Sequence, residues 1–376
     1  MFLEERLLGV SFYAMTVVLF FFLIRRIKAN GLLLTVLVLL FGLMGYGYIP
    51  LSGSDLYRNF ITMNYYGSLS SQVLYDKLIE SSTPLGGLYY YCLSSLSDEH
   101  FLPCITAIIT YSLIFYLLYK TISNIEVSQK IIAVTVLFFL SRGLLMMTIA
   151  NIRTMLALSI VALAIYFWHM RKLGTIKCFV IISVASLMHT ICALVLVVFF
   201  FLVLLNKEIN LYIRLVSAIV CIIGIGVFGG KYLILASEKG AAYVSSYQEN
   251  TGYFYVWEML LSMIVITITL LMIYKFLAFN NCNMSIIKKQ NANYWEFIKS
   301  VGFISVINML LFFIEFNVAL RLSWLISILD IALIPILVCI GNDKMKIYTY
   351  NILLLCSVFM LLLSCSRGDM CSLKFM

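Results

Sequence analysis

Six ionisable side chains interrupt or border apolar runs, and their types suggest one chemistry. Arg153 heads "NIRTMLALSIVALA", Arg321 lies in "ALRLSWLISILDIALIP" and His189 interrupts "IISVASLMHTICALVLVV". Asp55 and Arg58 share "GSDLYRNF", and Arg142 precedes Gly143. Guanidinium groups carry forked donors that match phosphate oxygens and stay charged at any physiological pH. A neutral histidine or a carboxylate takes a proton from a hydroxyl. Together they suit transfer of a sugar from a lipid diphosphate to a sugar hydroxyl, with Arg153, Arg321, Arg142 and Arg58 as candidate diphosphate ligands and His189 or Asp55 as the base. Each residue also has a plainer reading. Arg153 and Arg321 could reach to the membrane interface as anchors, Arg142 could be structural, and His189 could be a satisfied core histidine. Asp330, about 13 Å beyond Arg321 on one helix, reads as a buried counter-charge, and Glu315 as a partner for Arg321. No metal-ligand spacing accompanies the group, so neither metal nor cofactor is expected.

The elements that must position these residues follow from composition. Of 376 residues, 63% are hydrophobic and 11% charged, with a mean hydropathy of +1.04. Soluble domains carry roughly 25% charge, so the chain is read as an all-α polytopic membrane protein, one integral domain over 1–376. Apolar runs fall at 7–24, 31–49, 102–119, 131–147, 153–169, 174–188, 190–205, 211–229, 257–278, 296–314, 321–340 and 347–364, about twelve spans. The first run meets Arg25, Arg26 and Lys28 without a small-residue cleavage site, which reads as a retained span. The ten cysteines form no CxxC pair and read as packing residues. The net charge of +9 lies in short loops and not in a stripe that would suit nucleic acid.

Basic residues in short loops set orientation. Placing the loops around Arg25, Lys120, Arg171, Lys207, Lys288 and Lys344 in the cytoplasm puts 16 of the 26 lysines and arginines there. Both termini then face outward, as do two long tyrosine-rich segments, 50–101 and 230–256, able to stack on sugar rings. Two stretches need special treatment to keep that parity. Residues 84–97, "PLGGLYYYCLSSLS", are expected to form an interfacial or re-entrant helix, and 174–205 a hairpin or broken helix turning near Met188-His189-Thr190. The threading brings Asp55, Arg58, Arg142, Arg153, His189 and Arg321 towards one outward face, where intramembrane charges usually line a wet cavity.

The arrangement "NIRTMLALSIVALA", then the basic turn "RKLGTIK", then "IISVASLMHTICALVLVV" resembles the central region of EpsG-type and Wzy-type polysaccharide polymerases. "GSDLYRNF" and "ALRLSWLISILDIALIP" are similar to that family's stretches after the second helix and near the C-terminus, so the resemblance runs from about 45 to 340. The chain departs from it at Thr154, where glutamine commonly follows the arginine, and at Met188, where an aromatic commonly precedes the histidine. The resemblance implies joining of undecaprenyl-diphosphate-linked oligosaccharide repeats at the outward face of the bacterial inner membrane, in an architecture like that of C-type glycosyltransferases. The product implied is O antigen, capsule or exopolysaccharide. It supports Arg153, His189, Arg321 and, less directly, Asp55, and implies a flippase and a chain-length regulator as partners. An O-antigen ligase-type transferase, a lipid-linked oligosaccharide flippase and a non-enzymatic assembly protein are the competing readings. A flippase would carry charge through the middle of its bundle and have short loops on both sides, whereas mid-membrane charge here is nearly confined to Asp330.

Overall fold

The structure, a computed structural model, describes residues 2–28, 30–50, 52–96, 98–206, 209–210, 212–217, 292–314, 316–340 and 343–365. The expected span 257–278, most of 211–229, the loop 230–256 and Glu315 lie outside the described residues. What is described is helical, without strands: α1 (Phe2–Arg26), α2 (Asn30–Tyr46), α3 (Asp55–Gly67), α4 (Ser71–Glu80), α5 (Pro84–Ser94), α6 (Phe101–Ile122) and α7 (Gln129–Ser141). These are followed by α8 (Leu144–Ala150), α9 (Ile152–His169), α10 (Thr175–Met188), α11 (Ile191–Leu205), α12 (Ala292–Ile314), α13 (Phe316–Ile340) and α14 (Asp343–Cys365). In hydrocarbon a helix is the one open-ended element that satisfies its own backbone, which is why these apolar runs take that form.

Six described helices are long and apolar enough to cross a membrane, and α7 with α8 would make a seventh as one span bent by 48°. Three shorter apolar helices, α2, α10 and α11, accompany them. The chain is therefore a multi-pass membrane protein. The bundle is ordered from inside to outside: α13 is 94% buried over its span and α9 78%, whereas α1, α12 and α14 are 39%, 33% and 28%. The α7–α8 pair is also almost wholly buried from Ile131 to Ile149, and α13 and α9, which carry Arg321 and Arg153, stand with it in the interior.

Small residues set the closest approach. A Cβ on Gly45 would lie 2.8 Å from the Pro103 carbonyl oxygen, and one on Gly42 would lie 2.5 Å from Ile108, so α2 and α6 meet nearly backbone to backbone in the manner of small-residue membrane packing. The α7–α8 bend is made by Gly143 at φ 66°, a left-handed conformation that costs glycine little. Residues 174–205 form two antiparallel helices. The stacking of Phe179, early in α10, on Phe200, late in α11, at 5.2 Å fixes their direction, and the chain turns at His189, whose backbone is extended.

Candidate functional site

Arg153 occupies the second position of α9, at the end of the bundle covered by α3, α4 and α5. Gly86 of α5 lets the three elements converge. Its Cα faces the arginine so closely that a Cβ there would sit 2.8 Å from Arg153 Cδ and 2.9 Å from the Met188 carbonyl oxygen. Arg153 Nη1 donates to Thr83 Oγ1 at 3.3 Å, and the guanidinium lies 5.3 Å from the ring centre of Tyr90, a cation–π arrangement. The Tyr90 hydroxyl donates to Asn59 Oδ1 at 2.7 Å. Asn59 Nδ2 in turn donates to the carbonyl of Ala150, just ahead of α9, at 3.0 Å. The arginine is thus oriented by α3, α5 and the entry to its own helix. Most of its five N–H donors have no acceptor among the described residues.

His189 follows on from the Met188 carbonyl that Gly86 approaches. Its Nδ1 accepts the Ile191 backbone N–H at 3.2 Å, capping the start of α11. A neutral imidazole accepting at Nδ1 carries its proton on Nε2, so the ring offers a donor. His189 lies close enough to Arg321 and Arg153 for both guanidinium charges to act on it. Arg321, half-buried in the first turns of α13, has no hydrogen-bond or ion-pair partner among the described residues. Three groups from distant parts of the chain therefore share one locality rich in donors that have no partner among the described residues.

The other candidates are placed differently. Asp55 and Arg58 form an exposed pair at 2.5 Å one turn apart in α3. Asp55 remains within electrostatic reach of Tyr90, and so borders the Arg153 locality. Arg142 does not join it. It ends α7 ahead of the bend at Gly143, and its side chain is 4% exposed, 3.1 Å from Asp330 Oδ2 and stacked over Phe138. Asp330 thus has the counter-charge role expected for it, and Arg142 is spent on that pair and not presented with Arg153 and Arg321. Among the described residues no three of His, Cys, Asp and Glu gather as a metal-binding group.

Thr83, Gly86, Tyr90 and Asn59 were not singled out from sequence. The available signals were the Gly86-Gly87 pair inside a helix, which marks close backbone approach, and the tyrosine triplet that follows it.

The family model for EpsG matches residues 62–374, spanning α9, the α10–α11 hairpin and α13. The chain belongs to the EpsG family. Comparisons with curated proteins and with solved structures gave no significant match. The matched region of this EpsG member includes Arg153, His189 and Arg321, whereas Asp55 and Arg58 precede it.

Proposed function

We propose that the protein is a Wzy-like polysaccharide polymerase that joins undecaprenyl-diphosphate-linked oligosaccharide repeats at the outward face of the bacterial inner membrane. The observation that carries the reading is the convergence of Arg153, His189 and Arg321 at one end of the buried helices, with most of their donors unpartnered among the described residues. Peripheral interface anchors would point to lipid headgroups instead. Twelve spans in a GT-C-like arrangement, both termini outward, and a flippase and chain-length regulator as partners complete the proposal.

The residues then divide the labour. Arg153 and Arg321 grip the diphosphate of the growing chain and stabilise the charge that builds on it as the anomeric C–O bond breaks. His189 Nε2–H donates to the same leaving group, a role suited to the tautomer its Nδ1 contact selects. The acceptor hydroxyl of the incoming unit attacks the anomeric carbon, its proton passes to Asp55, and the bonding pair leaves with the diphosphate oxygen. The exposed tyrosines of α3 and α4, Tyr57, Tyr65 and Tyr75, offer faces for sugar rings.

Surface glycan from a deletion strain, resolved on a gel, tests the assignment. Single repeats without long polymer are expected, and Arg153→Ala or Arg321→Ala should reproduce that pattern. Absence of surface repeats would indicate a flippase, free polymer on its carrier a ligase, and unchanged chain length would end the proposal.

A further inference from the structure

The opposite end of the bundle holds a second built cavity, remote from the Arg153 locality and independent of the reading above. It has a volume of about 190 Å³ and lies between the last turn of α9, the last turn of α11 and the second turn of α12. His169 lines it, only 6% exposed. The ring packs against Trp168 at 4.5 Å and Phe297 at 5.8 Å, yet its buried Nε2 has no hydrogen-bond partner among the described residues. An orphaned polar atom at such burial is destabilising, so its retention beside a cavity points to something that completes it. Ser300 faces the same space from α12, 6% exposed. Lys299 lies at the mouth, paired at 2.5 Å with Glu296 of its own helix, and it acts electrostatically on His169.

The chemistry of the lining narrows the ligand. His169, Ser300 and Lys299 can all donate, while Glu296, the carboxylate present, is already engaged by Lys299. Oxygens of a phosphate would satisfy the donors. Arg214 adds positive charge nearby, its Nε donating to the Leu204 carbonyl at the end of α11 at 3.1 Å. The cavity also has an apolar lip: Leu205 lines it and is 63% exposed, which leaves an apolar surface at the entrance. We propose that this cavity binds the phosphate of an anionic phospholipid headgroup, with an acyl chain running past Leu205.

Purified full-length protein in detergent, titrated separately with phosphatidylglycerol, phosphatidylcholine and inorganic phosphate and read by native mass spectrometry and thermal shift, tests this. Phosphatidylglycerol should bind in preference to phosphatidylcholine, and inorganic phosphate only weakly. His169→Phe, Lys299→Gln and Ser300→Ala should each weaken phosphatidylglycerol binding, by about tenfold where the lost donor met a charged oxygen. Glu296→Gln should tighten it by releasing Lys299. Ser300→Ala and Glu296→Gln keep the test decisive if His169→Phe fails to fold. Equal binding of the two lipids, or phosphatidylglycerol binding untouched by these variants, would overturn the site. Tight inorganic phosphate binding with the same variant pattern would overturn its lipid source, and a loss of affinity in Glu296→Gln would overturn an anionic ligand altogether.

Discussion

Gly86→Ala tests the positioning of Arg153 without touching its charge. The new methyl would lie 2.9 Å from the Met188 carbonyl oxygen and 2.8 Å from Arg153 Cδ, where ordinary contact begins at 3.4 Å. The carbonyl belongs to the backbone at the α10–α11 turn and cannot swing away. Either α5 retreats by about half an ångström, or the turn moves and carries His189 with it. Overpacking of this kind costs about 1–3 kcal/mol, partly offset by the roughly 0.5–1 kcal/mol that a helix gains when glycine becomes alanine. The fold should therefore survive. Catalysis should not, because a misplacement of about 1 Å can cost about a hundredfold, and half that shift acts here on two of the three donor groups. The expected loss in polymerisation rate is roughly tenfold to a hundredfold. Gly87→Ala is the matched control: its methyl would meet Leu78 Cδ2 and the Tyr66 ring at 2.9 Å, side-chain ends that can rotate away. The assay is polymer formation from lipid-diphosphate-linked repeats by reconstituted protein, normalised to folded protein by melting temperature. Full activity in Gly86→Ala, or an equal loss in Gly87→Ala, would refute the reasoning.

Three further outcomes follow from the same geometry. His189→Gln should retain much more polymerase activity than His189→Ala, because the amide keeps a donor near Nε2, whereas equal loss in both would favour the histidine as base; initial rates decide. Arg142→Ala or Asp330→Asn should destabilise the protein by roughly 3–5 kcal/mol by leaving one buried partner uncompensated, whereas the double replacement Arg142→Met with Asp330→Leu should melt close to the parent. Tyr46 donates to Asp98 Oδ2 at 2.5 Å, and this hydrogen bond, followed by that from the His100 backbone, holds the Asp98 carboxyl below its ordinary value of 3.8. A depressed folded pKa gives stability that is present above the unfolded value and lost as pH falls through the folded one. Tyr46→Phe should therefore lower the melting temperature at neutral pH, with the difference fading below about pH 4.

Much of the site was written locally. Arg153 and Arg321 each head an apolar run, and a guanidinium at the end of a buried helix needs a polar destination whatever surrounds it. His189 stands in the middle of 174–205, a stretch too long for one ordinary span and short for two, and so marked the turn that α10 and α11 make. The Arg142 outcome was not legible in the same way. Its neighbours in sequence fit the outer end of a straight span, and only the packing of α7 against α13 brings Asp330, 188 residues away, to the side chain.

Amino-acid order alone determined that the chain is helical, crosses a membrane repeatedly and belongs to its family, because these follow from hydrophobic run length and from short motifs read along the chain. It also supplied the charges whose desolvation must be answered by a partner. Only the tertiary structure decided which charges share a locality. Burial depth puts α13 and α9, with α7 and α8, in the interior of the bundle. The absence of a side chain at Gly86 then sets the distance between α5, Arg153 and the His189 turn, and a close approach between segments more than 60 residues apart is a property of packing that no local pattern encodes.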